Sequence, residues 1–253
     1  MALKKLNTYE SIKFTLAEKY TEAWQDQNDL KAFLFHRNDI ECVLSEKNAI
    51  AVRFYMGLKV EGEKKCPDMM VVGVDDNNLD IINRKENPTE QEPSGVYNFT
   101  IPCPRTCDEL SDLYFHTGPG TIGSETCAIP AEGRTISTKT QCNIAGYQLS
   151  RDTAETATGE WQALFDLKSV RFEKDDLTEI FTQYNVDQIR VYFGLDLDNT
   201  ERVIIVGVDA NDKDVFKEDA AGKKEDLYIN SNSLCTKTSV TTCDQTSWLY
   251  HTV

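Results

Sequence analysis

Apolar and polar positions alternate along this chain in a pattern that is written twice. Between Tyr9 and Gln25, Ile12, Leu16, Tyr20 and Trp24 fall four residues apart, the spacing of one helical face, and Leu149 to Leu164 holds the same place later on. Asn38-x-x-Glu41 and Asp176-x-x-Glu179 have the form of capping boxes. They predict short helices whose apolar stripes are Ile40, Val43, Leu44 and Leu177, Ile180, Phe181. Room for a strand remains between the two helices of each set. Ala49 to Gly57 with Met69 to Asp75, and Val186 to Leu197 with Val203 to Asp209, are rich in β-branched and aromatic residues and predict paired antiparallel strands. A further extended stretch, Gly95 to Ile101 or Leu227 to Ser231, precedes a cysteine pair in each half.

The repetition extends to residue identity. Trp24 to Gly57 aligns without gaps on Trp161 to Gly194, with 11 of 34 positions identical, among them Trp24/Trp161, Gln25/Gln162, Lys31/Lys168, Arg53/Arg190, Tyr55/Tyr192 and Gly57/Gly194. Val72-Gly73-Val74-Asp75 then matches Val206-Gly207-Val208-Asp209, and Cys107-Asp108-x-x-Ser111-x-Leu113-Tyr114 matches Cys243-Asp244-x-x-Ser247-x-Leu249-Tyr250. The expected fold is therefore α+β, a tandem duplication of a small module with helices packed on a short antiparallel sheet. Its expected boundaries are a first repeat over 1–117, a Gly/Thr/Ser-rich connector over 118–146 and a second repeat over 147–253.

Charge narrows the partners. With 42 acidic against 27 basic residues the formal net charge is −15, which repels phosphate backbones and anionic lipid, so nucleic acid is not an expected partner. No apolar run reaches the length of a membrane span, so no membrane insertion is expected. The opening Met1-Ala-Leu-Lys-Lys-Leu-Asn lacks the apolar core of a secretory signal, which predicts a soluble, cytoplasmic protein. In that compartment the eight cysteines are expected as free thiols or metal ligands more than as a disulfide framework.

Arg-x-Tyr-x-Gly, a strand ending Val-Gly-Val-Asp and a Cys-Pro-x-x-Cys element make the chain resemble a family of short uncharacterised Bacteroidetes proteins. These carry one such module with a Pro-Cys-Pro-Pro-x-Cys tail. The matching positions are Arg53, Tyr55, Gly57, Gly73, Asp75, Pro102, Cys103, Pro104 and Cys107, then Arg190, Tyr192, Gly194, Gly207, Asp209, Cys235 and Cys243. The second copy has lost the prolines and widened its cysteine spacing. The resemblance implies the repeat and no reaction.

Three sets of residues carry candidate chemistry. Cys103, Cys107 and His116, with Cys235, Cys243 and His251, are candidates for zinc or for a disulfide in each copy. Asp75, Asn77 and Asp80, like Asp209, Asn211 and Asp214, cluster the oxygen ligands that calcium accepts, but the EF-hand glycine is missing and a polar turn after a strand needs the same residues. Arg53 with Tyr55 and Arg190 with Tyr192 lie two apart on predicted strands, so each pair shares a face that could grip an anion or a carboxylate of the protein itself. No nucleophile elbow, phosphate loop or dinucleotide fingerprint occurs. The sequence favours a non-enzymatic binding or assembly protein, with a protein partner or self-association. The alternative is a thiol- or metal-dependent hydrolase whose site lies between the Cys tails of the two repeats, near Cys107, His116, Cys243 and His251.

Overall fold

The computed structural model describes residues 9–61, 64–86, 89, 92–103, 107–115, 135–230 and 234–252. In chain order the elements are β1 (Tyr9–Ile12), α1 (Phe14–Gln25), β2 (Ala32–His36), α2 (Arg37–Leu44), β3 (Ala51–Glu61), β4 (Lys64–Val74), β5 (Ile101–Cys103), α3 (Arg151–Leu164), β6 (Leu167–Glu173), α4 (Lys174–Tyr184), β7 (Gln188–Leu195), β8 (Glu201–Val208), β9 (Asp214–Val215), β10 (Leu227–Asn230) and β11 (Leu234–Thr236). Helices on two antiparallel sheets make the fold α+β. One sheet runs β1-β10-β8-β7-β2-β5, with β9 beside β8, and the other runs β11-β6-β3-β4. No helix of the described residues is long and apolar enough to cross a membrane.

The chain divides into two compact units that do not follow the sequence repeats. Unit 1 is Met1–Arg37, Ile101–Cys127 and Asp175–Asn232, and unit 2 is Asn38–Thr100, Ala128–Lys174 and Ser233–Val253. Unit 1 thus joins α1, β2 and the first cysteine tail to the β7-β8 hairpin of the later repeat. Unit 2 joins α3, β6 and the second tail to the β3-β4 hairpin of the earlier one. The boundaries expected at 117 and 147 therefore divide the sequence pattern but not the compact units. The exchange happens where a strand runs straight into a helix, at β2-α2 and at β6-α4.

Each unit is built on the same packing. In unit 1, α1 lies on β7, and β2 pairs with β7 from Ala32 opposite Tyr192 to His36 opposite Gln188. In unit 2, α3 lies on β3, and β3 pairs with β6 from Ala51 opposite Glu173 to Tyr55 opposite Ser169. The glycine that ends Arg-x-Tyr-x-Gly explains the close approach. A Cβ on Gly57 would collide with Met70 Cε and stand 3.2 Å from Ala157 of α3, and one on Gly194 would stand 3.0 Å from Cβ of Tyr20 on α1. Tyr192, Ile204, Val206 and Ala17 share one core cluster, and Tyr55, Met70, Val72, Ala154 and Ala157 share the other.

Local differences from the sequence pattern have physical causes. The predicted helix Tyr9 to Gln25 begins as a strand, because Tyr9–Ile12 pairs antiparallel with Asn230–Leu227 and Ile12 is buried there. The two expected capping boxes do not cap. Helices α2 and α4 start at Arg37 and Lys174, leaving Asn38 and Asp176 inside the first turn, and the buried Asp39 accepts the Ser137 N–H at 2.9 Å. Both helices end before an asparagine in the left-handed region, Asn48 (φ 71°) and Asn185 (φ 54°), a conformation that asparagine tolerates. The expected connector lies partly outside the described residues. Its last part is anchored by a short 3-10 turn, Ile144–Tyr147, and by a disulfide from Cys142 to Cys42 of α2.

Candidate functional site

The Arg-x-Tyr pairs face inward. Arg53 and Asp80 form an ion pair with both side chains fully buried, Tyr55 Oη donates to the other Asp80 oxygen at 2.7 Å, and Arg53 also donates to the carbonyls of Asn78 (3.2 Å) and Thr242 (2.9 Å). Arg190, Asp214 and Tyr192 repeat the set, with Tyr192 Oη 2.6 Å from Asp214 and Arg190 3.1 Å from the Asp212 carbonyl. Strand alternation places arginine and tyrosine on one face, and the next strand's turn returns the aspartate to them. Burial pushes the Asp80 and Asp214 carboxyls up, against the downward pull of the arginine each one faces. Burial likewise drives the Tyr55 and Tyr192 phenols well above their usual range, so they stay neutral donors. The face read as a candidate anion grip therefore grips the chain's own carboxylate.

That turn occupies the candidate cation residues. Asp75 Oδ1 accepts the N–H groups of Asn77 (2.9 Å) and Leu79 (2.8 Å), and Asp209 Oδ1 accepts those of Asn211 (2.7 Å) and Lys213 (2.9 Å). Asn78 and Asp212 take left-handed angles, φ 64° and 59°. Asp75 and Asp209 thus bond to backbone while Asp80 and Asp214 point at arginine, so the oxygens do not converge. Among the described residues no cluster of three or more His, Cys, Asp or Glu could hold a metal ion.

The cysteine tails are disulfide-bonded, Cys103 to Cys107 in unit 1 and Cys235 to Cys243 in unit 2. Cys66 is also bonded, and no described cysteine is free. This corrects the expectation of free thiols or zinc ligands. The tail cysteines stand with their Cα atoms 5.0 Å apart in each pair, a normal disulfide span. His116 lies outside the described residues. His251 is held within unit 2: its Nε2 lies 3.1 Å from Thr158 Oγ1 and from the Glu155 carbonyl, and its N–H donates to Gln162 at 2.9 Å.

Three further matched pairs, to which sequence reasoning gave no role, hold these tails, and Trp24 and Trp161 are buried in the core as their helical stripes predict. Trp24 and Trp161 each donate Nε1 at 2.6 Å to the carbonyl six residues on, of Leu30 and Leu167. Gln25 bridges Leu113 and Phe115, and Gln162 bridges Leu249 and His251. The buried Lys31 donates to the Phe115 carbonyl at 2.6 Å with its ammonium 4.9 Å from the Tyr114 ring, and Lys168 donates to the His251 carbonyl 4.0 Å from the Tyr250 ring. Desolvation lowers the pKa of both lysines. Asp108 and Asp244 then tie each tail to the hairpin of the other repeat: Asp108 accepts the Asp214 N–H at 3.0 Å and pairs with Lys213, and Asp244 accepts the Asp80 N–H at 2.8 Å and pairs with Arg84. The only sequence signal for this lace was the identity of those residues in the two copies.

No protein-family model, no curated protein and no solved structure matches the chain.

Proposed function

We propose that the chain is a non-enzymatic binding or assembly protein of two homologous modules that works in an oxidising compartment. The observation that supports this most is the doubled clamp. In both units the same Arg, Tyr, Asp, Lys and Gln side chains bond to one another or to backbone around a bonded cysteine pair. Residue types that elsewhere do chemistry here brace a scaffold, and a doubled scaffold multiplies binding surface.

Disulfides persist where thiols are not kept reduced, so the pairing favours an oxidising compartment over the cytoplasm expected from the N-terminal sequence. Paired sulfurs also offer no thiolate, which weighs against the hydrolase alternative. The direct test is alkylation of the native protein before any reduction, followed by intact mass, together with light scattering across concentration. Unmodified cysteines and a concentration-dependent mass agree with the proposal. Rapid alkylation of Cys107 or Cys243 would overturn the proposal in favour of the thiol enzyme.

A further inference from the structure

Unit 2 carries a cleft of about 200 Å³ at the start of α3, lined among others by Asn83, Glu92, Gln148, Arg151, Asp152 and Trp248. Its aromatic wall is preset. The Trp248 indole donates Nε1 to the Asn83 carbonyl at 3.1 Å and packs against the Tyr55 and Leu249 core cluster, and the Arg151 guanidinium lies 5.4 Å from the Trp248 ring centroid. Arg151 is steadied in turn by the Lys85 carbonyl at 3.0 Å.

The other unit shows what this place looks like when it is closed. Phe14 opens α1 as Arg151 opens α3, and Asp112 precedes Leu113 as Trp248 precedes Leu249. There Lys224 pairs with Asp112 and sets its ammonium 4.8 Å from the Phe14 ring and 4.4 Å from the Phe216 ring, while the two rings pack edge to face at 5.1 Å. The chain thus covers the position with its own cation and aromatics in unit 1. In unit 2 Arg151 stands at the helix start where unit 1 has Phe14, Trp248 stands where unit 1 has Asp112, and a cleft remains beside them.

The chemistry of the lining selects the ligand. The lining carries the carboxylates of Glu92 and Asp152 and the guanidinium of Arg151, but Arg151 is already paired with Glu155 at 3.4 Å and Glu92 with Lys85, so no unpaired cation is left to attract an anion in a protein of net charge −15. A cationic ligand would compete for the indole with Arg151. What remains complementary is a neutral ligand with an apolar face and several hydroxyl groups. The indole suits the face, and the planar amide, carboxylate and guanidinium groups suit the hydroxyls. The volume is below that of drug-sized pockets and suits one sugar ring.

We propose that this cleft binds a neutral saccharide, with one sugar unit beside Trp248 and its hydroxyls hydrogen-bonded by Asn83, Arg151 and Asp152. This rests on the reading of the chain as a binding protein. The test uses the full chain with its disulfides intact and saturation-transfer NMR with glucose, galactose, mannose, N-acetylglucosamine and short oligosaccharides of each, at up to about 50 mM so that even weak millimolar binding registers. The expected result is saturable transfer to at least one of them, weakened roughly tenfold or more in Trp248→Ala and in the exposed Asp152→Ala, with the melting temperature of Asp152→Ala unchanged. Absence of transfer from the whole panel overturns the proposal, as does binding that survives both substitutions. Displacement of every bound sugar by equimolar sulfate or choline, added as competitors and read as loss of the sugar signal, overturns it too. Cleavage of a bound oligosaccharide during the same experiment would leave the site standing and overturn the non-enzymatic reading instead.

Discussion

Asp244 sits in the cysteine tail that ends the chain, yet its carboxylate accepts the backbone N–H of Asp80, 164 residues earlier, at 2.8 Å. Asp108 does the same for Asp214 at 3.0 Å. The tail of each repeat is thus bonded to the hairpin of the other, and the two buried arginine sites lie directly behind these contacts.

Removing that acceptor should be costly. Asp244→Ala strands the buried Asp80 N–H and deprives Arg84 of its partner, and the expected loss is about 1–3 kcal/mol in urea-induced unfolding. Asp244→Asn keeps one acceptor oxygen and should recover part of it. A loss under a few tenths of a kcal/mol for the alanine variant would mean that the tail is not held this way.

Arg53→Leu and Arg190→Leu leave a buried carboxylate facing no charge, and each should cost about 3–5 kcal/mol. Adding Asp80→Asn to Arg53→Leu removes the orphaned charge. The double variant is therefore expected to be more stable than the single one, which unfolding curves on the two proteins will decide.

The disulfides should differ in weight. Reduced chain entropy in the unfolded state gives about 4–5 kcal/mol for closing a loop as long as that between Cys42 and Cys142, whose separation is 100 residues. The same treatment gives only about 2–3 kcal/mol for the separations of 4 and 8 in the two tails. Thermal melts of Cys42→Ser/Cys142→Ser against Cys103→Ser/Cys107→Ser should rank in that order.

Acid stability should follow the turn aspartates. The N–H groups of Lys213 and Asn211 hold the Asp209 carboxyl below its ordinary 3.8, and those of Lys223 and Ala221 do the same for Asp219. A carboxyl depressed in the folded state contributes stability above its unfolded value, and this is lost as pH falls through the folded value. Through these two groups unfolding free energy should decline as pH falls below about 4, whereas the raised Asp80 and Asp214 carboxyls act in the opposite sense and lose their contribution as pH rises through their folded values. Asp209→Asn and Asp219→Asn should each remove part of that decline, and a decline of unchanged slope would contradict the assignment.

Much of this structure is legible in the sequence, and the limit falls at a definite place. The hairpin strands are announced by β-branched runs, and α3 by Leu149 to Leu164, because those signals arise within a few residues. The inward turn of Arg53 and Tyr55 is not local. It depends on Asp80 returning from the next strand, and alternation alone allows either a buried ion pair or an exposed grip. Cysteine pairing was similarly open, since Cys42 meets Cys142 only through the path of the intervening chain. The exchange of segments was least visible of all. Both repeats carry the same helix, strand and hairpin, so either hairpin complements either helix, and chain path rather than pattern decides which one is used.

That exchange is tested most directly on the two halves, residues 1–127 and 128–253, produced separately and then mixed under oxidising refolding conditions. Each unit needs segments from both halves, so neither half alone is expected to be a folded monomer with a cooperative melt. The mixture should give a one-to-one complex with the circular dichroism of the intact chain, and a non-reducing mass equal to the sum of the halves, because Cys42 and Cys142 lie on opposite pieces. A half that folds cooperatively as a monomer, and gains nothing from its partner, would contradict the exchange.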